Sequence, residues 1–219
     1  MKFESGDFIE SRLRLLMKDS RYQEFNYSFE FLNTIETDAI LFIGFNPSVG
    51  KNEDISQTYL RRELKEKTKM YPYFNKMEEI SIHCDNVPWT HLDLLYYKKN
   101  EQETIYEILK KDFGVDYIKG QLDITRELIF EKALPKVIIV SNALAGKILG
   151  KESTKVNSRE MKLKKVCFNY PFKFDSNLGT DKWENIPVFF CSMLSGGRAL
   201  DNGSYERLKW HIKKSLNQL

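Results

Sequence analysis

The stretch ILFIGFNPSVG, residues 40–50, joins an apolar strand to a polar loop. Its leading apolar residues run into Gly44, a pattern that favours a strand buried on both faces of a parallel sheet. Asn46 and Pro47 follow where that strand should end. Because proline fixes its own φ and biases the residue before it to an extended shape, we expect Asn46 to be held and aimed. A held amide can orient a water molecule or the polar edge of a ligand.

Three further segments are expected to pair with this strand, namely 87–97 (VPWTHLDLLYY), 135–140 (PKVIIV) and 186–192 (IPVFFCS). Apolar residues at helical spacing predict helices over 103–113, 117–133, 142–149 and 205–216. Strands that alternate with helices indicate a parallel sheet covered on both faces. We therefore predict an α/β fold, a three-layer α/β/α architecture with a central, mostly parallel four-stranded sheet.

The carboxyl ends of these strands are the expected place for a ligand, as in other open α/β sheets. The loops after Phe45, Leu95, Val140 and Ser192 should therefore line one crevice. Residues 1–36 are expected to be a helical extension packed on the α/β domain of residues 37–219, with helices over 7–16 and 22–35. The polar and basic segment 151–179 is expected to be a loop.

The length, apolar content, cysteine count and charge of the chain exclude several functional classes. A chain of 219 residues with 42% apolar content can bury one full core. Its three cysteines, an odd number without CxxC spacing, argue against a disulfide framework, a zinc ribbon or an iron–sulfur cluster. The formal charge of +3 permits an anionic partner without requiring one. We expect a cytoplasmic monomer without a cofactor. We also expect no membrane partner, because the start lacks an apolar signal core and no run approaches the roughly 20 apolar residues that span a bilayer.

A second unusual loop, SMLSGGR, covers residues 192–198. It combines hydroxyl groups, two glycines with unhindered backbone N–H groups, and Arg198. These are the groups that a loop in contact with phosphates needs. The lysine-rich stretch Lys155 to Lys165 would add to such a surface only if it lay on the same side of the molecule.

Together these motifs resemble the uracil-DNA glycosylase superfamily. GFNPS (residues 44–48) is similar to the GINPG first motif of the mismatch-specific uracil and thymine-DNA branches, and MLSGGR (193–198) stands where those branches carry an MPS or NPS second motif. VPWTHLDLLYY is similar to the middle strand of the family, and residues 128–150 are similar to its helix, strand and Ala-rich helix unit. The matches follow the order of the family from about Ile40 to Ile212.

The resemblance implies a base-excision glycosylase that hydrolyses the N-glycosidic bond of uracil or a related damaged base after flipping it out of the stack, with no metal and no covalent intermediate. Asn46 would position the water, and Ser195 would contact a phosphate. His91, or Asp93 after a shift of register, would read the base edge, and the base would stack on Phe74 or, as the alternative, on Tyr73. The remaining residues of the implied site are Gly44, Phe45, Pro47, Ser48, Met193, Gly196, Gly197 and Arg198.

Several positions depart from the family pattern. Leu194 replaces the usual proline of the second motif, Ser48 replaces the last glycine of the first, and Gly196 with Gly197 provides no bulky wedge. No histidine stands at Met193, so the strong oxyanion donor of the most active relatives is missing. Because unstacking a paired base costs a few kcal/mol, we expect DNA that is single-stranded, mismatched or damaged rather than intact duplex.

Structural roles remain open for each of these residues. Asn46 could cap a helix or close a turn, His91 and Asp93 could bond to each other or to the backbone, and the two aromatic residues could belong to the core. Ser195 to Arg198 could form an ordinary turn before a helix capped by Asp201 or Asn202. Two other functions also remain open: a catalytically inactive nucleic-acid or nucleotide binding module on the same fold, and an enzyme acting on a small nucleotide.

Overall fold

The fold is known from a computed structural model that describes residues 1–49, 58–71, 73–150, 172–197 and 199–218. The strands are β1 (Lys2–Glu4), β2 (Phe29–Leu32), β3 (Thr34–Glu36), β4 (Ile40–Gly44), β5 (Tyr59–Arg62), β6 (Trp89–Asp93), β7 (Val137–Val140), β8 (Phe172–Asp175), β9 (Thr180–Trp183) and β10 (Ile186–Phe190). The helices are α1 (Ser5–Leu16), α2 (Leu64–Met70), α3 (Phe74–His83), α4 (Thr104–Lys110), α5 (Gly114–Glu127), α6 (Ala143–Ile148) and α7 (Asn202–Leu216). A single 3-10 turn (Ser20–Tyr22) follows α1, and a π-helical turn (Leu128–Ala133) continues α5.

The central sheet has six strands in the order β6-β4-β7-β10-β9-β8. The first four of these are parallel to one another, while β9 and β8 run antiparallel. The prediction of an α/β fold with a mostly parallel sheet is confirmed, and all four predicted strands are present. The predicted strand number of four was wrong, because β8 and β9 extend the sheet beyond β10.

The β8–β9 hairpin explains this error. Residues 172–175, expected to lie in a loop, carry only two aromatic residues among polar ones and give a weak strand signal. The turn is closed by Asp175, whose side chain accepts hydrogen bonds from Asn177 N at 2.9 Å and Leu178 N at 3.2 Å. Gly179 then takes a φ of +69°, which favours glycine. The hairpin is attached to the core through Trp183, which is 1% exposed.

Both faces of the sheet are covered by helices, as the three-layer prediction requires. On β4, Leu41 and Ile43 belong to a hydrophobic cluster with residues of α1, α4 and α5. The alternate residues Ile40 and Phe42 belong to a second cluster with residues of α3 and α7. Because successive side chains of a strand point to opposite faces, an all-apolar strand is the sequence that such a two-sided core needs.

The N-terminal region agrees only in part with its prediction. Helix α1 was predicted, but the second helix predicted over 22–35 was wrong, because residues 29–36 form β2 and β3. Their aromatic residues Phe29 and Phe31 alternate with Glu30, and β2 pairs in parallel with β5 over four residues. This pairing holds Glu30 at 3% exposure, so a carboxylate expected on a helix is inside the molecule.

Cys84 is a buried free thiol, while Cys167 and the stretch 155–165 lie outside the described residues. Burial raises the pKa of Cys84 to about 11, although the nearby Lys213 ammonium acts in the opposite direction. Across the described ranges, no helix has both the length and the apolar character needed to cross a bilayer.

The packing of Trp183 gives a test of the extended sheet. The Trp183 ring lies 4.9 Å from Phe130 and 5.6 Å from Phe172 between centroids. We expect Trp183→Ala to lower the free energy of unfolding by about 3–5 kcal/mol, because a large buried side chain is lost. Phe174→Ala, on the same hairpin but 70% exposed, should change it by less than about 0.5 kcal/mol. Denaturant unfolding measures both, and equal small effects would contradict the attachment of the hairpin to the core.

Candidate functional site

A cavity of about 170 Å³ lies at the carboxyl edge of the parallel strands. Its wall includes Asn46 after β4, Asp93 at the end of β6, Ser141 after β7 and Ser195 after β10. The prediction that these strand ends share one crevice is therefore confirmed. The cavity has room for a small organic molecule, and its lining mixes aromatic side chains with a few polar groups, as ligand sites usually do.

The loop after β4 is fixed by pairing with the chain that follows β6. Leu95 N donates to Phe45 O at 3.0 Å and Lys99 N donates to Pro47 O at 3.0 Å. These bonds continue the β4–β6 pairing past the ends of both strands. Asn46 therefore sits between two backbone segments that are held together.

The Asn46 side chain takes part in the same pairing. Its amide nitrogen Nδ2 donates to Lys99 O at 2.7 Å, Pro47 O at 3.1 Å and Tyr97 O at 3.3 Å. Three carbonyl partners identify this atom as the nitrogen, since a carbonyl oxygen only accepts. The amide oxygen Oδ1 is therefore the atom through which Asn46 can bind a ligand or a water. Sequence reasoning expected a held amide, and the structure shows what holds it.

A cluster of four buried charged residues forms one side of the cavity. This ion cluster comprises Glu30 of β2, Lys67 of α2, Asp93 of β6 and Lys98 of the following loop. Lys67 Nζ lies 3.1 Å from Glu30 Oε1 and 3.4 Å from Asp93 Oδ2, and Lys98 Nζ lies 2.9 Å from Glu30 Oε2. Three of the four, Glu30, Lys67 and Asp93, line the cavity. Burial acts to lower the pKa of Lys67, but the Asp93 and Glu30 carboxylates outweigh it, so the pKa is raised and the ammonium stays charged.

The close approach of β4 and β6 requires glycine at position 44. A Cβ atom built on Gly44 would lie 2.5 Å from Asp93 Oδ1 and 2.9 Å from His91 Nε2. Gly44 pairs directly with Asp93 in the sheet, so the Asp93 carboxylate lies over the bare Cα of its neighbour. Any side chain at position 44 would push Asp93 away from Lys67.

His91 lies beneath Asp93 and is not among the residues that line the cavity. It is 1% exposed, and its Nε2 is hydrogen-bonded to the Tyr73 hydroxyl at 3.0 Å, while Nδ1 is buried without a partner among the described residues. Burial lowers the pKa of His91 to about 4, helped by the Lys67 ammonium and opposed by Asp93. Of the two residues between which the sequence could not choose, Asp93 is the one in contact with the cavity.

Both candidate stacking residues lie at the cavity, but they differ in accessibility. Phe74 is 1% exposed and packs on Trp89 and His91, with ring centroids 6.1 Å and 5.1 Å away. It is mainly a core residue. Tyr73 is only half-buried, and its ring lies against Phe74 at 4.2 Å. Tyr73 is therefore better placed than Phe74 to offer a face to a ligand.

The loop after β10 forms the rim on the other side. Leu200 N donates to Met193 O at 2.9 Å and Ala199 N to Gly196 O at 3.1 Å, which closes the loop on itself. Ser195 lines the cavity, Gly196 has a φ of +90°, and both Gly196 and Gly197 are exposed. Leu194 is buried, while Met193 is 42% exposed at the cavity.

The remaining predicted residues are distributed around these loops. Phe45 and Pro47 are buried and line the cavity, and Ser48 is exposed at its edge. Arg198 lies outside the described residues. Asp201 is the cap of α7, since its carboxylate accepts a hydrogen bond from Ser204 N at 2.9 Å.

Sequence reasoning missed Glu30, Lys67 and Lys98. Glu30 was assigned to a helix, and neither lysine was proposed as a site residue. One available signal was the placement of Glu30 between apolar neighbours in FEFL, because a charged residue inside an apolar run must find a partner if the run is buried.

In comparisons with known proteins, no protein-family model and no curated protein matches this chain. The function is therefore inferred from the cavity, its charges and the motifs quoted above.

The buried His91 predicts a pH dependence of stability. An unfolded histidine has a pKa near 6.5, whereas the folded value is about 4, so the unfolded chain binds the proton more readily between these values. The contribution of His91 to the free energy of unfolding is complete above pH 6.5. It decreases by up to about 3 kcal/mol as the pH falls towards 4. We expect the difference in unfolding free energy between wild type and His91→Gln to shrink accordingly between pH 7 and 4.5. Parallel curves over this range would contradict a buried, neutral His91.

Proposed function

We propose that this protein is a DNA glycosylase that hydrolyses the N-glycosidic bond of uracil or a related damaged base, on a fold of the uracil-DNA glycosylase type. The observation that carries the proposal is the amide of Asn46, fixed by three carbonyls at the mouth of a cavity of nucleobase-like size. This amide belongs to the Asn-Pro motif on which the family resemblance depends.

The chemistry requires three things of such a cavity. Cleavage of the N-glycosidic bond develops positive charge on the sugar and negative charge on the leaving base. A water must therefore be placed near the sugar, donors must face the base, and the phosphates must be held. Asn46 Oδ1 can accept a hydrogen bond from the water and so orient the water oxygen towards the sugar. Because an amide is no general base, the reaction depends on the leaving ability of the base.

The cavity wall also offers groups that can contact the base, and its rim offers donors to the phosphates. Asp93 is the polar group at the end of β6 that faces the cavity, so it takes the role of reading the base edge. Tyr73 offers an aromatic surface beside it. At the rim, Ser195 and the exposed backbone of Gly196 and Gly197 provide the donors that a phosphate needs.

The shape of the rim indicates whether single-stranded, mismatched or intact duplex DNA would be preferred. Leu194 is buried and the two glycines carry no side chain, so neither can fill the gap left by a flipped base. Met193 is the exposed apolar side chain of this loop and would act as a small wedge. We therefore expect single-stranded and mismatched substrates to be preferred over intact duplex.

The proposal predicts that excision depends on Asn46. We expect the wild-type protein to release uracil from oligonucleotides that carry one uracil in single-stranded or U·G contexts, and to a lesser extent in U·A. Asn46→Ala should lower the single-turnover rate by about 100-fold or more, because a misplaced water loses its orientation. Base release from labelled oligonucleotides, followed by cleavage of the abasic site, measures both.

A matched control separates water placement from loop anchoring. Asn100 accepts a hydrogen bond from Val49 N at 2.6 Å between the same two loops, but it is not among the residues that line the cavity. Asn100→Ala should therefore loosen the loops and keep most of the excision rate. No excision by the wild type in any context, with DNA still bound in a salt-dependent way, would favour the binding-module alternative instead.

A further inference from the structure

The ion cluster presents a hydrogen-bond donor beside an acceptor on the cavity wall. The donor is Lys67, whose ammonium has three N–H groups. Among the described residues its partners are Glu30 Oε1 at 3.1 Å and Asp93 Oδ2 at 3.4 Å. Two N–H groups are thus used, and the third remains for a ligand in the cavity that Lys67 lines.

The acceptor is the other oxygen of Asp93. Oδ2 faces Lys67, while Oδ1 lies over Gly44 and 3.9 Å from His91 Nε2, beyond hydrogen-bonding distance. The Asp93 side chain is 10% exposed. A carboxylate oxygen in such a place can accept from an N–H group of a ligand, and Gly44 leaves the space in which it lies.

We propose that Lys67 and Asp93 together read the lactam edge of a base, Lys67 donating to a carbonyl oxygen and Asp93 accepting from the adjacent ring N–H. This inference rests on the proposed function and names its substrate class. Uracil carries such an edge, and so does hypoxanthine; both are products of deamination. Cytosine and adenine present an amino group in place of the carbonyl oxygen and an unprotonated ring nitrogen in place of the N–H. The amino donor would face the Lys67 ammonium, which is also a donor, and the nitrogen lone pair would face the Asp93 carboxylate, which is also an acceptor.

The same geometry gives Lys67 a part in the chemical step. When the bond between the sugar carbon and the base nitrogen breaks, its electron pair moves onto the base and spreads to the carbonyl oxygen next to Lys67. The water oxygen bonds to the sugar carbon and loses one proton to solvent, and the released base takes up one proton. A buried ammonium stabilises the charge on the departing base, which compensates for the histidine missing at Met193.

Glu30 holds Lys67 in place. Glu30 is 3% exposed, and its oxygens Oε1 and Oε2 lie 3.1 Å from Lys67 Nζ and 2.9 Å from Lys98 Nζ. Lys98 is 4% exposed, close to the 5% of Lys67, and is paired with the same Glu30 carboxylate, but it does not line the cavity. Lys98 is therefore the matched control for a purely structural role of a buried lysine.

The experiment measures binding of free bases separately from excision. Calorimetric titrations of the full chain with uracil, N3-methyluracil and cytosine should show binding of uracil and at least tenfold weaker binding of the other two. Lys67→Met should weaken uracil binding at least tenfold and slow excision about 100-fold, the usual loss for one charge-stabilising donor. Lys98→Met should leave both within about threefold.

A second variant keeps the test decisive if Lys67→Met does not fold. Lys67→Gln retains a neutral donor, so it should keep the preference for uracil over cytosine while excision slows. Circular dichroism establishes that each variant is folded.

The outcomes separate the two proposals. If the wild type prefers uracil in this way but excises nothing, the lactam-edge inference stands and the glycosylase proposal fails. If the wild type excises uracil but binds uracil and cytosine equally, or binds neither, the inference is overturned and the glycosylase proposal stands. Equal losses in Lys67→Met and Lys98→Met would also overturn it, because they would assign both lysines a structural role.

Discussion

The pairing of β4 with β6 is the contact on which the rest of the site depends. The two strands pair in parallel over five residues, from Ile40 with Trp89 to Gly44 with Asp93. Because parallel strands end at the same edge, this register brings GFNPS and the HLD segment to one cavity. Hydrogen bonds past the strand ends then hold Asn46, so a single register decides where both the amide and the carboxylate lie.

The second constraint is electrostatic. Two carboxylates and two ammonium groups are buried together, and removing charges from water costs several kcal/mol each unless they are paired. A well-packed apolar cluster would often be at least as stable, so four charges with little exposure, three of them at a cavity wall, point to a use for them. Around charges held in this way, the local dielectric is low and a hydrogen bond to a ligand is stronger than in water.

The fold and the site were accessible from the sequence to different degrees. Strands such as PKVIIV and ILFIG could be predicted, because a short apolar run bounded by proline or glycine and rich in β-branched residues favours a buried strand. Residues 29–36 could not, because their aromatic spacing fits a helix as well as a strand, and only pairing with β5 and β1 decides between them. The hairpin of β8 and β9 was missed because its residues are mostly polar and its stability depends on Trp183 packing against distant rings.

What the sequence by itself determined was the four parallel strands of the central sheet, the helices α4 to α7 that separate and follow them, and the positions of Asn46 and Ser195 in loops at the carboxyl edge of the sheet. These follow from local patterns of apolar residues, glycine and proline. The tertiary structure alone decided that Asp93 rather than His91 faces the cavity, that Glu30 and Lys67 line the cavity beside it, and that Lys98 pairs with Glu30. Those charged residues come from three separate segments, and charges attract or repel through space, so no pattern along the chain records which of them meet.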